Sequence, residues 1–412
     1  MARGRRILGH RRLRICLLVA VAATTLASIS APALSRSKTV AHKAQANPFS
    51  GRGMWIWELG SSNGGNLPSI IATARRYGVT TLMIKSGDGS GTWSQFNPTL
   101  VSTLHANGLR VCGWQYVYGA HPVAEAQVGA AAVRDGADCL LIDAESEYET
   151  RANNYVQAQT YITTLRKLIG ATFPLALAGL PYVDYHPGFP YSVFLGPGGA
   201  QYNAPQIYWF EIGTSVDAAY AHTYLYNRLY QRPIFPLGQV YNNPPPSQIV
   251  RFRQLSKAYG ATGVSWWDWQ EASLPAWRAV SRPAGALTGF TPSSAGPTLR
   301  RGGQGDFVVW AQEHLRSAGD IIPIDGSFGA KTQSAVRSFQ LAHGLSIDGI
   351  IGPATWSALL QFAPAPVTWT TAGAKTASIA SASLRMPVPK SSHLRAKRNE
   401  IAGAGGAGRP KR

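Results

Sequence analysis

Between Gly51 and Pro283, short apolar segments alternate with stretches of helical periodicity, the segments beginning near Gly53, Thr80, Leu109, Cys139, Phe173, Ala204, Pro233 and Thr262. Apolar residues three and four apart predict helices in Leu67 to Tyr77, Val123 to Arg134, Tyr155 to Leu168, Val216 to Leu229 and Ile249 to Tyr259. Eight strand-then-helix units at such regular intervals predict an α/β fold: a closed (β/α)8 TIM-barrel domain over 51–283. A doubly wound open sheet is the competing arrangement, but no Gly-rich phosphate loop follows the first segment.

After a Pro/Gly/Ser-rich linker at 284–297 the pattern changes to a small three-helix module over 298–363. Gly305-Asp306 opens the first helix, with Asp306 as its N-cap and Val309, Ala311, Gln312 and Leu315 following. The other two follow copies of one motif, Ile324-Asp325-Gly326-Ser327-Phe328-Gly329 and Ile347-Asp348-Gly349-Ile350-Ile351-Gly352. Thr332, Ser334, Ala335 and Phe339 of the first copy recur as Thr355, Ser357, Ala358 and Phe362, so the chain repeats one structural unit. Asp-Gly supplies a turn whose glycine takes a positive φ, and Pro353 fits the first turn of the last helix.

On these residues, together with Gln312, Phe339-Gln340 and Gly352-Pro353-Ala354-Thr355-Trp356, Leu299 to Phe362 resembles the peptidoglycan-binding domain of bacterial wall hydrolases. The resemblance implies that peptidoglycan is the partner. It also implies that Asp325, Gly326, Phe328, Gly329, Asp348, Gly349, Gly352 and Trp356 build the binding module.

Chemistry in the first domain is expected at the C-terminal ends of its strands. Leu140-Leu141-Ile142-Asp143-Ala144-Glu145 is an apolar strand that breaks into two carboxylates two residues apart, and period-two geometry points both the same way. Such a pair suits acid–base hydrolysis. Glu145 is assigned as general acid, Asp143 as its orienting partner, and Tyr208 and Asp268 as groups facing them from later strands. Glu58, Trp114, Gln206, Trp267, Trp269 and Gln270 are the candidate substrate-binding residues, since aromatic faces beside amides and carboxylates suit sugar rings.

The closing Asp-x-Glu resembles glycoside hydrolases that cut amino-sugar polymers, the family 25 muramidases and family 18 chitinase-like enzymes. The chitinase-like signature falls on Asp138, Leu141, Asp143 and Glu145, with Leu141 in place of an aspartate. The resemblance implies a secreted, wall-binding glycoside hydrolase that cleaves glycan-strand bonds. Two other readings are a catalytically silent barrel serving as a wall adaptor and a wall-tethered glycosidase acting on another polysaccharide.

Net charge is +19, a value that invites a nucleic-acid reading until its distribution is followed. The helical module has five basic and five acidic residues, whereas 364–412 has nine basic and one acidic residue. This excludes nucleic acid as partner and predicts a basic disordered tail over 364–412, able to attract anionic wall polymers. Arginines at 3, 5, 6, 11, 12 and 14 before the apolar run Ile15 to Ala23, with Ala31-Pro32-Ala33 beyond, predict an export signal over 1–33 and a linker over 34–50. A secreted, wall-associated protein without a lasting membrane span follows. Cys112 and Cys139 lie on neighbouring predicted strands and are expected as buried thiols, with a disulfide as the alternative. The histidines show no metal-ligand spacing such as His-Glu-x-x-His, so no metal or cofactor is expected.

Overall fold

A computed structural model describes residues 47–293 and 296–371. The expected signal at 1–33, most of the linker at 34–50 and the tail from 372 lie outside the described residues. The N-terminal domain runs β1 (Gly51–Ile56), α1 (Leu67–Tyr77), β2 (Thr81–Asp88), β3 (Gly91–Thr92), α2 (Pro98–Ala106), β4 (Arg110–Val117), α3 (Pro122–Arg134) and β5 (Cys139–Ala144). It continues through α4 (Ser146–Glu149), α5 (Asn154–Ile169), β6 (Leu175–Ala178), α6 (Tyr191–Leu195), β7 (Tyr202–Asn203), α7 (Trp209–Ile212) and α8 (Val216–Asn227). β8 (Leu237–Gln239), α9 (Pro246–Ala258), β9 (Gly263–Trp267) and α10 (Leu274–Ser281) complete it. The second part consists of α11 (Asp306–Ser317), α12 (Ala330–Ala342) and α13 (Pro353–Leu359).

Local chemistry sets these boundaries. Asn66, Asn97, Ser215 and Ser273 each accept a backbone N–H at the start of a helix, and proline occupies the first turn of α1, α2 and α10. Gly78 ends α1 in the left-handed conformation.

The strands pair in parallel in the order β7-β6-β5-β4-β2-β1-β9-β8, with β3 antiparallel on β2. This corrects the expected closed (β/α)8 barrel. Among the described residues the end strands β7 and β8 share no ladder, so the regular sheet is open, and across the seam stand isolated bridges at Asn203–Ile234 and Gln206–Leu237. Pro205, Pro233 and Pro236 lie in that seam, and residues without an N–H cannot carry a ladder through it.

Alternation divides the strand side chains. Met54, Ile56, Leu82, Ile84, Val111, Leu140 and Ile142 join the core beneath the helices. Trp55, Trp57, Met83, Cys112, Trp114, Tyr116, Leu141 and Trp267 fill the opposite face. Cys112 and Cys139 are register partners on that face, with Cα atoms 4.6 Å apart, and are joined by a disulfide. The expected pair of thiols is therefore corrected: direct registry across β4 and β5 brings the two sulfurs together.

The helical module packs on the N-terminal domain through α11, whose residues Asp306 to Leu315 are all buried. Trp310 Nε1 donates to Leu229 O, and the backbone N–H of Asp306 donates to Pro187 O. The chain then returns across this junction. Trp369 packs on Tyr155 in a tilted arrangement with ring centroids 4.3 Å apart, and Gln159 bonds the backbone of Val367 and Trp369. Residues 364–371 are thus an ordered strap and not the start of a disordered tail, because Val367 and Trp369 supply the apolar area that ordering requires.

Candidate functional site

The end of β5 carries the site. Asp143 has the parity of Leu141 and so faces the aromatic side of the sheet, and Glu145 follows two residues later at the start of α4. Gln206, beside the seam prolines, reaches both: its Nε2 donates to Asp143 Oδ1 at 2.9 Å and to Glu145 Oε1 at 3.1 Å. A single amide nitrogen therefore holds two carboxylates side by side.

Tyr116, the register partner of Asp143 on β4, closes the other flank. Its hydroxyl donates to Glu147 Oε2 at 2.5 Å, with Glu145 Oε2 at 3.5 Å. Burial, then the charges of Glu145, Glu147 and Asp143, push the Tyr116 phenol far above its ordinary value, so it remains a proton donor at any working pH. Tyr208 is likewise raised, by burial first and then by Tyr241, Asp143, Glu145 and Asp268, and its ring meets Tyr241 edge-on at 5.5 Å. Asp268 is fully buried after a cis Trp267–Asp268 peptide and accepts from the backbone of Glu271.

The floor is aromatic. Trp267 meets Trp55, Trp57 and Trp114 at centroid distances of 5.8, 6.5 and 5.3 Å, and Trp114 Nε1 is tied to Ile56 O. Beside them the Lys85 ammonium lies 4.4 Å from the Trp93 ring centroid and 4.8 Å from that of Trp114, paired with Asp88 at 2.6 Å. Tyr118 donates to the other oxygen of Asp88 and packs on Tyr116, linking this corner to the acidic group.

The structure thus brings Asp143, Glu145, Gln206, Tyr208, Asp268, Trp114 and Trp267 to one region, and it sends other candidates elsewhere. Trp269 turns into the helix-facing core, packs on Trp277 at 4.7 Å and donates to Asn63. Gln270 accepts the backbone N–H of Trp57, and the Glu58 carboxylate accepts from the exposed Ser61 hydroxyl. Both serve the loops around β1. Tyr116, Glu147 and Lys85 join this region as well: the sequence puts Lys85 and Tyr116 at strand ends without assigning them a role, and puts Glu147 on a solvated acidic loop. Tyr116 and Lys85 share the strand parity of Trp114 and Met83, and that signal marks them.

In the helical module the repeated motif builds the fold itself. Gln312 Oε1 accepts from Asp325 N and Gly326 N, while its Nε2 donates to Asp325, Ser327 O and Thr332. Gln340 does the same with Gly349 N, Asp348, Ile350 O and Thr355. Gly326 and Gly349 take φ of 69° and 73°. Phe328 and Trp356 are buried, and Gly329 and Gly352 are the N-caps of α12 and α13.

Among the described residues no group of three or more His, Cys, Asp or Glu side chains could hold a metal. His105, His186 and His222 are each paired with a separate carboxylate, and His314 is buried against Phe362 O. No helix among the described residues is long and apolar enough to cross a membrane.

Residues 304–359 match the family described as putative peptidoglycan binding domain. The chain is 39% identical over 93 residues to a zinc D-Ala-D-Ala carboxypeptidase of Streptomyces albus G, covering 22% of this chain and 36% of that protein. It is 43% identical over 77 residues to a probable N-acetylmuramoyl-L-alanine amidase of Bacillus licheniformis, covering 18% and 22%. The chain therefore spans well under half the length of these relatives. A GH18 chitinase structure from Pseudoalteromonas aurantia is 13% identical over 55% of this chain and 97% of that one, with a TM-score of 0.41, too low to bear on activity.

The expected glycoside hydrolase is overturned by these names, which are those of a carboxypeptidase and an amidase. The physical reason lies in the motif: two carboxylates on one strand face serve water activation in general and do not encode which bond is broken.

Proposed function

We propose that this chain, whose residues 304–359 are a peptidoglycan-binding domain, is a wall-directed hydrolase acting on amide bonds of peptidoglycan through carboxylate acid–base chemistry. The observation that carries this reading is the sharing of Gln206 Nε2 by Asp143 and Glu145 beside the Tyr116 hydroxyl. The names of the carboxypeptidase and amidase relatives support the choice of bond. A zinc mechanism does not fit the donor set among the described residues, so no step is routed through a metal.

In this scheme one carboxylate takes a proton from water as the water oxygen bonds to the amide carbon. The other, protonated, delivers its proton to the nitrogen as the C–N bond breaks, so one proton enters the pair and one leaves. The scheme requires one member of the pair to be charged and the other protonated, so that the pair supplies both base and acid. The Gln206 amide donates to both members of the pair and keeps them oriented, while the Tyr116 hydroxyl, donating to Glu147, lies 3.5 Å from Glu145. Tethering by the module raises the local substrate concentration.

The test uses the full chain and its Glu145→Gln variant, incubated with purified peptidoglycan and followed by mass spectrometry of soluble fragments. New amino and carboxyl termini are expected from the parent protein, with release at least about 100-fold lower in the variant. Fragments bearing only new reducing ends, or no release while the protein still pellets with the wall, would overturn the reading.

A further inference from the structure

The helical module is neutral by count, with five basic and five acidic residues, yet folding separates the two signs. Asp306 and Glu313 are buried where α11 meets the N-terminal domain. Asp325 Oδ1 accepts from Gln312 Nε2 and the Ser327 N–H, and Asp348 Oδ1 from Gln340 Nε2 and the Ile350 N–H, so each is turned back into its own turn. Hydrogen bonds from Ile350 and Gln340, then the Arg337 charge, hold the Asp348 carboxyl below its ordinary value, so Arg337 has its counter-charge there. Asp320 follows the far end of α11, where Arg316 bonds Ile322 O.

Arg300, Arg301 and Lys331 remain. All three are exposed, and none has a side-chain hydrogen bond or ion pair among the described residues. The backbone brings them to neighbouring positions. Gly302 N donates to Phe328 O and Phe328 N to Gly303 O, which fixes the Arg300-Arg301 turn against the first repeat motif, three residues ahead of Lys331 in the first turn of α12. Leu299 and Ile351 exchange both backbone bonds, which fixes the same turn to the second copy. Because Asp306 to Leu315 are buried, α11 is not a surface that the wall can reach.

We propose that Arg300, Arg301 and Lys331 form a cationic edge of the module that receives the carboxylates of peptidoglycan's peptide chains. The argument is charge complementarity: three exposed cations lack counter-ions of their own, and a guanidinium fork matches a carboxylate through two parallel bonds. A polymer that repeats its carboxylates engages several of these weak contacts at once. A phosphate polymer carries the same sign, but the edge belongs to the domain whose match is to peptidoglycan binding, so peptidoglycan is the anion it meets. The inference goes beyond the amide-hydrolysis reading and does not depend on it.

The test is co-sedimentation of the full chain with purified peptidoglycan freed of phosphate polymers by dilute acid, at low salt. The Arg300→Gln, Arg301→Gln, Lys331→Gln triple variant should bind about tenfold more weakly than the parent. The gap should close on peptidoglycan whose carboxyl groups have been amidated, and it should shrink as salt rises. Arg300→Lys with Arg301→Lys should retain most of the binding, since the charge is kept. Both proteins carry the same basic C-terminal segment, so its contribution is common to them. Equal binding of parent and triple variant, an unchanged gap on the amidated wall, or parent binding that disappears with the phosphate polymers overturns the edge. Should the triple variant unfold, Arg301→Gln and Lys331→Gln singly, each expected to weaken binding about twofold, give the same comparison. Fragment release is not read in this assay, so loss of the edge leaves the hydrolase reading standing, and an inactive protein that still shows the gap sinks only the hydrolase.

Discussion

Asp306 offers a measurable account of how the two parts are joined. This first residue of α11 is fully buried, and its carboxylate accepts from Tyr155 and Ser192 hydroxyls on Oδ1 at 2.9 and 2.7 Å and from the Tyr230 hydroxyl and Ser192 N–H on Oδ2 at 2.7 and 2.9 Å. All three partners lie in the N-terminal domain. The hydrogen bonds favour the charged form, yet burial is the larger effect and raises its pKa from 3.8 to about 6. Since the folded-state value is the higher one, the folded state holds more protons between the two, and stability contributed by Asp306 is full below pH 4 and lost as pH rises through about 6. At about 1.4 kcal/mol per pH unit the interval is worth about 3 kcal/mol. Glu313, about two turns further along α11, is raised too, by burial and then by Asp306, and adds with the same sign.

Asp306→Asn keeps one acceptor oxygen and removes the titration. Urea unfolding from pH 4 to 7.5 should therefore show the parent losing about 3 kcal/mol more than the variant across this range. Comparing the two proteins cancels the carboxylates they share, apart from the part of the Glu313 shift that the Asp306 charge causes and that is lost with it. Parallel profiles would refute the argument that burial outweighs the four hydrogen bonds.

Gln340→Leu should destabilise the helical module by about 2 to 4 kcal/mol, because Gly349 N–H and the Asp348 and Thr355 side chains lose a buried partner; urea unfolding monitored by tryptophan fluorescence checks this. Reducing Cys112–Cys139, which closes a loop of 27 residues in sequence separation, should cost about 3 to 4 kcal/mol by loop entropy, and an unchanged urea midpoint in reductant would contradict it. Gln206→Leu should lower peptidoglycan fragment release by about tenfold or more while pelleting is retained, since only the alignment of Asp143 and Glu145 is touched.

Much of this molecule could be read along the chain. Strand starts such as Thr81 and Cys139 follow apolar segments, and the doubled Ile-Asp-Gly motif marks the peptidoglycan-binding domain, because turn chemistry and helical period are local properties. The same locality put Asp143 and Glu145 two residues apart where β5 ends, Glu145 lying past the strand at the start of α4. Locality also explains the failures: Trp267 and Trp269 look alike in sequence, but one faces the aromatic floor and the other Trp277. Whether β7 and β8 carry a ladder depends on prolines meeting across a seam, and Gln206, Tyr116 and Glu147 converge only when separate strand ends and loops are assembled. Asp306 read as a helix cap; tertiary structure made it a buried junction, because its hydrogen-bond donors come from residues more than a hundred positions away as well as from Tyr230. Composition and period thus determine elements and wall attachment, whereas long-range packing decides which polar groups share a dry space, and so which of them interact.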